Sequence, residues 1–291
     1  MPRADVDIDV DLVHALLAEQ HEDLAELPLT PLANGWDNVM MRLGEGLVVR
    51  LPRREVAARL VRHEQEWLPV LAPRLPLRVP VPVRLGIPGC GYPWAWSVIP
   101  YLPGKNAVQA GAHDDGVAES IGRFLGRLHR AALPEAPANP FRGVPLSERV
   151  GAFEKNVALV DAVHADAVRR AWEASLAAPP WTGQPVWLHG DLHPANILID
   201  AGRASAVIDF GDLTSGDPAT DLSVAWMLQP EGDHRRFWAA YRDTAAHVVD
   251  DALVARARGW ALVLALVFLG SSPDDSLMAT IGRATLTGVL S

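Results

Sequence analysis

At 291 residues with 49% apolar composition, the chain has material for one large domain or two lobes around a packed core, which excludes disorder and low complexity. A formal net charge of −9 argues against a general nucleic-acid binder, because sequence-independent binding depends on clustered Lys and Arg neutralising phosphates. The single cysteine, Cys90, rules out an internal disulfide and suits a reduced compartment. The opening residues lack a signal-peptide stretch, and the longest apolar run, Trp260 to Leu269, is about half of a bilayer span, so a cytoplasmic protein without membrane contact is expected.

From Val10 to Leu27 the apolar residues Val13, Leu16, Leu17, Leu24 and Leu27 recur at helical spacing and predict an amphipathic starting helix. The segments "LPLTPLANG", "NVMMRLGEG" and "LVVRLPR" read as strands of an antiparallel meander, with "GEG" as a tight turn. Residues 54–72 return to helical spacing, and Pro69 should end or bend that helix. The proline-dense stretch 73–93 is extended or turning, and "WAWSVIPYLPG" is one more strand. The Pro-Gly break at 103–104 marks the expected boundary between an N-lobe, residues 1–102, and a C-lobe, residues 103–291. Beyond it, "GVAESIGRFLGRLHRAAL" predicts one helix and "RVGAFEKNVALVDAVHADAVRRAWEASLA" a second, longer one. Strands follow at "PVWLH", "NILID" and "ASAVID", and helices fill the remainder.

The segment "WLHGDLHPANILID", residues 187–200, places polar residues at the root of this β hairpin, and "VIDFGD" closes it. Asp191, Asn196 and Asp209 are oxygen donors of the type a hard cation such as Mg²⁺ takes, and the hairpin directs them toward one cleft. Phosphoryl transfer relies on positioning and charge neutralisation. In the kinase pattern a loop Asp accepts the substrate proton, an Asn five residues later holds one Mg²⁺, and the Asp of Asp-Phe-Gly holds the other. Either tripeptide alone recurs in ordinary turns; their pairing across a short hairpin, behind a β lobe and long helices, carries the inference.

The pairing resembles the catalytic core of the aminoglycoside phosphotransferase family, kinase-like enzymes that phosphorylate small-molecule hydroxyls. The resemblance runs in order along nearly the whole chain and is most specific at 187–228. It implies a bilobal, protein-kinase-like α+β fold with a small β-rich, nucleotide-binding N-lobe and a larger α-helical C-lobe. It makes Asp191 the catalytic base, has His189 brace the loop, and makes Asn196 and Asp209 the Mg²⁺ ligands, with ATP or GTP as donor. His193 stands between a loop hydrogen-bonding role and a phosphate contact, and Asp212 between loop support and the substrate side. Asp217 and Asp221 read as structural, one near a helix start and the other tying the catalytic loop.

On the nucleotide side, Arg50 in "GLVVRLPRR" holds the place of the kinase lysine and is able to fork across phosphate oxygens. Glu64 is its expected partner, with Glu66 as competitor. "ANGWDN" is the one candidate phosphate flap, from Gly35 to Asn38, with a plain β-turn as the rival reading, and backbone groups from Val98 to Tyr101 are expected to bind the purine edge. The acceptor is a small-molecule hydroxyl compound. An aminoglycoside reading expects carboxylates lining the pocket, for which Glu231, Asp233, Asp243, Asp250, Asp251, Asp274 and Asp275 are available. "GWDN" and "RLPRR" resemble the N-lobe motifs of macrolide phosphotransferases, whereas Asn196 and "DFGD" depart from that group's pattern. A metabolic kinase of a sugar or amino alcohol, and a non-catalytic nucleotide-binding module, are the other classes. The chain is expected to work as a monomer or weak dimer, without nucleic acid.

Overall fold

Helix α1 (Val10–Gln20) begins where Asp9 accepts a hydrogen bond from the Leu12 amide at 2.8 Å, which satisfies one of the amides left open at a helix start. The helix expected to run on to Leu27 is interrupted at His21, where the backbone leaves helical geometry (φ −145°, ψ 62°), and resumes briefly as α2 (Glu22–Ala25). The computed structural model describes residues 3–111, 115–160, 162–229 and 234–291. Its internal contacts divide the chain into one unit of Met1–Pro73, Arg78–Pro103 and Asp209–Gly211, and another of Arg74–Leu77, Gly104–Ile208 and Asp212–Ser291.

In the first unit, β1 (Leu29–Asn34), β2 (Asn38–Leu43), β3 (Leu47–Pro52), β4 (Arg84–Gly86) and β5 (Trp96–Pro100) form an antiparallel sheet in the order β1-β2-β3-β5-β4. The three buried residues of α1, Val13, Leu16 and Leu17, are enclosed with Met41, Leu43, Val49, Leu51, Tyr92, Trp96 and Val98. Helix α3 (Glu55–Leu71) buries Ala57, Val61, Glu64, Trp67, Leu68 and Leu71 along one face. Pro69 does not end it: the helix runs on to Leu71 although the proline ring removes the amide that would bond the Gln65 carbonyl, and the buried Trp67, Leu68 and Leu71 hold the turn. Glu64 is the exception on that apolar face, and its burial is explained by the site.

The second unit opens with β6 (Lys105–Asn106) and α4 (Asp115–Leu128). The long helix expected over 149–177 is two helices, α5 (Val150–Val157) and α6 (Ala162–Leu176). Turn hydrogen bonds from the Leu159 and Val160 amides to the Asn156 and Val157 carbonyls break the run. Stacking of Phe153 on Trp172, with ring centroids 4.5 Å apart, then holds α6 against α5. Next come β7 (Val186–Leu188), β8 (Ile197–Asp200), β9 (Arg203–Val207) and β10 (Thr214–Gly216). The β8–β9 hairpin extends to β6, and β7 pairs with β10; the sequence did not single out β6 or β10, which have two and three residues.

The remainder is helical: α7 (Ala219–Leu222), α8 (Val224–Leu228), α9 (Arg235–Thr244), α10 (Asp251–Ser271) and α11 (Leu277–Leu290). Helix α9 packs on α4, while α5, α6, α7 and α11 surround α10. Its enclosure on several sides matches the apolar residues it carries around most of its circumference from Gly259 onward. Its 21 residues, with an apolar window of mean hydropathy 1.8, are long enough to cross a membrane, contrary to the estimate from the apolar run; 67% of that window is buried in the protein, as in a core helix. The chain is thus α+β, with a small antiparallel-sheet unit and a larger helical one.

Candidate active site

The loop between β7 and β8 is held by one buried carboxylate. Asp221 of α7 accepts hydrogen bonds from the backbone amides of His189 at 2.7 Å and Gly190 at 2.9 Å, so the loop is suspended from two charge-assisted bonds. The bend at Gly190 has φ +86°, and a Cβ there would lie 2.1 Å from the Asp212 carbonyl oxygen, so glycine is required on both counts. His189 is fully enclosed: its Nε2 donates to the Ile208 carbonyl at 3.0 Å and its Nδ1 accepts from the Asp191 amide at 3.2 Å. The ring therefore positions the loop. Behind Asp221 runs a chain of polar groups: His129 Nε2 at 3.2 Å from Asp221, His129 Nδ1 at 2.8 Å from the Tyr241 hydroxyl, and that hydroxyl at 2.9 Å from His247 Nε2.

These bonds present the Asp191 carboxylate, 28% exposed, to Arg142 Nη2 at 3.0 Å and His193 Nε2 at 3.5 Å. Burial works against its ionised form, but His193, Arg142 and His189 outweigh burial and hold the carboxyl well below the usual range. Asp191 is thus ionised at neutral pH. Asn196, five residues on and 7% exposed, donates from Nδ2 to the Asp191 carbonyl at 3.0 Å, leaving its amide oxygen without a protein hydrogen bond. His193 is buried edge-on against Phe268, with ring centroids 5.6 Å apart, and touches both Asp191 and Asn196. Asp212 accepts from Asn139 at 2.7 Å, which supports the loop. Asp217 accepts from the Ala219 amide at 3.0 Å and is clasped by Arg256 at 2.7 Å, a structural pairing.

In the first unit, Arg50 of β3 and Glu64 of α3 pair at 2.6 Å, both within 5% exposure, while Glu66 is exposed. Burial pushes the Glu64 carboxyl up and Arg50 draws it back, leaving it at about 7. Burial disfavours the charged Arg50, but Glu64 and Asp209 outweigh that and raise it. Arg50 Nη2 also reaches Asp209 at 3.2 Å, although Asp209 remains 57% exposed. Asp209 has φ +64°, a backbone state a non-glycine residue rarely adopts and one that local packing must hold.

The remaining expected nucleotide contacts, Gly35, Asn38, Val98 and Tyr101, belong to the same unit. Gly35 donates its amide to the Asn38 carbonyl at 2.9 Å, and Arg53 ties Gly35 and Asn34 from the side. Gly35 is therefore part of a closed β-turn, and its amide is spent. The Asn38 side-chain oxygen is buried without a partner. The Tyr101 amide donates to the Gly46 carbonyl, the Val98 carbonyl accepts from the Val83 amide, both at 2.8 Å, and the Tyr101 ring carries the Arg42 guanidinium 3.3 Å from its centroid. The backbone groups chosen at Val98 and Tyr101 are thus committed to the sheet and its flank. Of the tail carboxylates, Asp243, Asp250, Asp251, Asp274 and Asp275 are exposed, Asp250 capping α10, while Glu231 and Asp233 lie outside the described residues. Arg142 and His129 were missed, since neither lies in a motif and both reach the site through tertiary contacts.

The family model described as "Phosphotransferase enzyme family" matches residues 28–260. An aminoglycoside 3'-phosphotransferase of Escherichia coli is 29% identical over 142 residues, 45% of this chain and 52% of that protein. A homoserine kinase of Gluconobacter oxydans (strain 621H) is 30% identical over 157 residues, 50% of this chain and 47% of that protein. The chain spans about half the length of the curated relatives it matches. The solved GDP complex of wild-type aminoglycoside 2'-phosphotransferase-IIIa is similar with a TM-score of 0.68 and 19% identity, covering 96% of this chain and 97% of that one. Macrolide 2'-phosphotransferase MphH from Brachybacterium faecium gives 0.62 and 23%, covering 97% of each. These likenesses show a shared kinase-like fold. By the family match over most of its length, the chain belongs to the phosphotransferase enzyme family.

Proposed function

We propose that the protein is a nucleotide-dependent O-phosphotransferase that moves the γ-phosphate of ATP or GTP to a hydroxyl of a small molecule. An aminoglycoside-type antibiotic is the acceptor class its sequence relatives favour. The observation that carries this reading is the Asp191 carboxylate, held on a braced loop with the Asn196 amide five residues on. In it, Asp191 takes the acceptor proton, His189 fixes the loop, and Arg50, held by Glu64, meets the nucleotide phosphates. The Asn196 amide oxygen and the exposed Asp209 carboxylate are donors of the type Mg²⁺ takes. Held by donors of this kind, Mg²⁺ would supply charge neutralisation for the phosphates. Among the described residues no group of three or more His, Cys, Asp or Glu could hold a metal ion. We place the enzyme in the cytoplasm as a monomer or weak dimer.

The homoserine kinase relative supports a second acceptor class, a small hydroxyl metabolite. Both are tested by measuring ATP and GTP consumption with kanamycin, a macrolide and homoserine as acceptors. Turnover with one compound names the class, and Asp191→Ala should lower its kcat by roughly 10²–10⁴-fold while nucleotide binding stays within a few-fold. Unchanged turnover in that variant would sink the assignment.

A further inference from the structure

A cation outside the motif sits on the catalytic carboxylate, and the fold is built to put it there. Arg142 lies in the loop "ANPFRGVP", which is pinned on both sides of it. Before it, the Pro137 carbonyl accepts from Thr214 Oγ1 at 2.8 Å, Asn139 donates to Asp212 at 2.7 Å, and the Phe141 amide donates to Asn139 at 2.8 Å. After it, the Gly143 amide donates to Thr220 Oγ1 at 3.0 Å, and the Gly143 carbonyl accepts from the Asp217 amide at 2.9 Å. Gly143 has φ +70°, and a Cβ there would lie 2.8 Å from the Leu188 side chain and 2.9 Å from the Ser215 carbonyl oxygen. The backbone is thus pressed onto β7 and β10. The result is an Arg142 side chain only 15% exposed, with Nη2 at 3.0 Å from Asp191 Oδ1.

Two features show that this pairing is incomplete. Arg142 Nε is buried with no hydrogen-bond partner, so part of the guanidinium fork is unused. The neighbouring Arg149, whose guanidinium lies 5.7 and 5.8 Å from the Phe141 and Trp260 ring centroids, also has a buried, unpartnered Nε and adds like charge beside Arg142. Asp191 Oδ1 is thus engaged by Arg142 in the resting arrangement rather than left for an acceptor hydroxyl.

The geometry of transfer resolves the conflict. The acceptor oxygen must come within about 3 Å of Asp191, and the reacting phosphorus within about 3–3.5 Å of that oxygen. The phosphoryl oxygens then arrive within one side-chain swing of the Arg142 fork, which suits oxyanions in bidentate geometry. We propose that Arg142 is an exchangeable cation: it neutralises Asp191 in the resting protein and moves onto the transferring phosphoryl oxygens, freeing Asp191 to take the acceptor proton. This rests on the phosphotransferase reading above. As the acceptor oxygen bonds to the γ-phosphorus, its proton passes to Asp191, and the bond from that phosphorus to the β,γ-bridging oxygen breaks to leave the nucleoside diphosphate.

The test uses the full chain, Arg142→Gln and Arg142→Lys, with the panel compound that the unaltered protein phosphorylates. Arg142→Gln should lose roughly 10²–10³-fold in kcat, the range for removing one donor to a developing oxyanion. Arg142→Lys should fall between, keeping the charge without the fork. KM for nucleotide and acceptor should stay within a few-fold in both. ADP alone should bind both variants as it binds the unaltered protein, whereas ADP with aluminium fluoride, a mimic of the transferring group, should bind at least tenfold more weakly to the glutamine variant. Should Arg142→Gln fail to fold, Arg142→Lys and the ADP–fluoride comparison carry the same test. A raised acceptor KM with kcat kept would assign Arg142 to an anionic group of the acceptor and overturn the proposal, as would an unchanged or raised kcat. An unaltered protein that transfers no phosphate to any compound removes the phosphotransferase reading and this one together; an active protein with an unimpaired Arg142→Gln removes only this one.

Discussion

Replacing Asp221 separates loop support from chemistry, because this residue touches the catalytic loop only through its backbone. Its carboxylate accepts from the His189 and Gly190 amides at 2.7 and 2.9 Å and is fully buried. Asp221→Ala leaves two buried amides and the His129 ring without their acceptor. With hydrogen bonds to charged groups contributing about 1.5–3 kcal/mol each, the two amide bonds alone come to about 3–6 kcal/mol. That is a large part of the roughly 5–15 kcal/mol that holds a domain together. Asp221→Asn keeps one acceptor oxygen and turns an NH₂ toward the other amide, so about half that loss is expected. Urea midpoints followed by far-UV circular dichroism give the stability change, and steady-state turnover gives kcat. Asp221→Asn should lose stability and at least tenfold in kcat, since a shift of about 1 Å at the base costs on the order of 10²-fold. A folded Asp221→Asn with unchanged midpoint and turnover would refute the reasoning.

Gly190→Ala places a Cβ 2.1 Å from the Asp212 carbonyl at φ +86°. It should reduce kcat sharply and lower Tm, and an active, equally stable variant contradicts the described bend. Acid should act through His247: burial, then its neighbours His129 and Arg130, lower its value from 6.5 to about 4. The unfolded chain therefore takes up the proton first as pH falls. The stabilising contribution is present above about 6.5 and disappears as pH drops through about 4. His247→Asn should show a shallower loss of Tm between pH 7 and 4 than the unaltered chain; parallel curves would count against this.

What the sequence revealed tracks how local the physical cause is. Asp191 and Asn196 share one short loop, and Asp209 follows one hairpin later, so chemistry that demands residue types at fixed spacing is readable there. Glu64 was separable from Glu66 in principle, since Ala57, Val61, Glu64, Leu68 and Leu71 share one helical face. Arg142 had no such signal: it precedes Asp191 by 49 residues, and its place depends on Gly143 packing against β7 and β10. The single helix expected over 149–177 failed because the apolar periodicity continues through the turn that the Leu159 and Val160 amides close. Gly35 was left between two readings because a glycine serves a phosphate loop and a tight turn equally well, and the sequence does not show that its amide bonds the Asn38 carbonyl.

The polar chain behind the catalytic loop has one further property. A tyrosine hydroxyl owns a single proton, so Tyr241 is unable to donate to His129 and His247 at once. Since Asp221 is occupied as an acceptor, the imidazole of a neutral His129 must give it the Nε2 proton and take the one from Tyr241 on Nδ1. Tyr241 in turn accepts from His247, which leaves His247 Nδ1 bare, in agreement with its lack of a partner. The row thus has a polarity, like a line of dominoes leaning one way. Reversing any member forces every other to turn, and the orientation is set at the Asp221 end beside the loop and carried outward to His247.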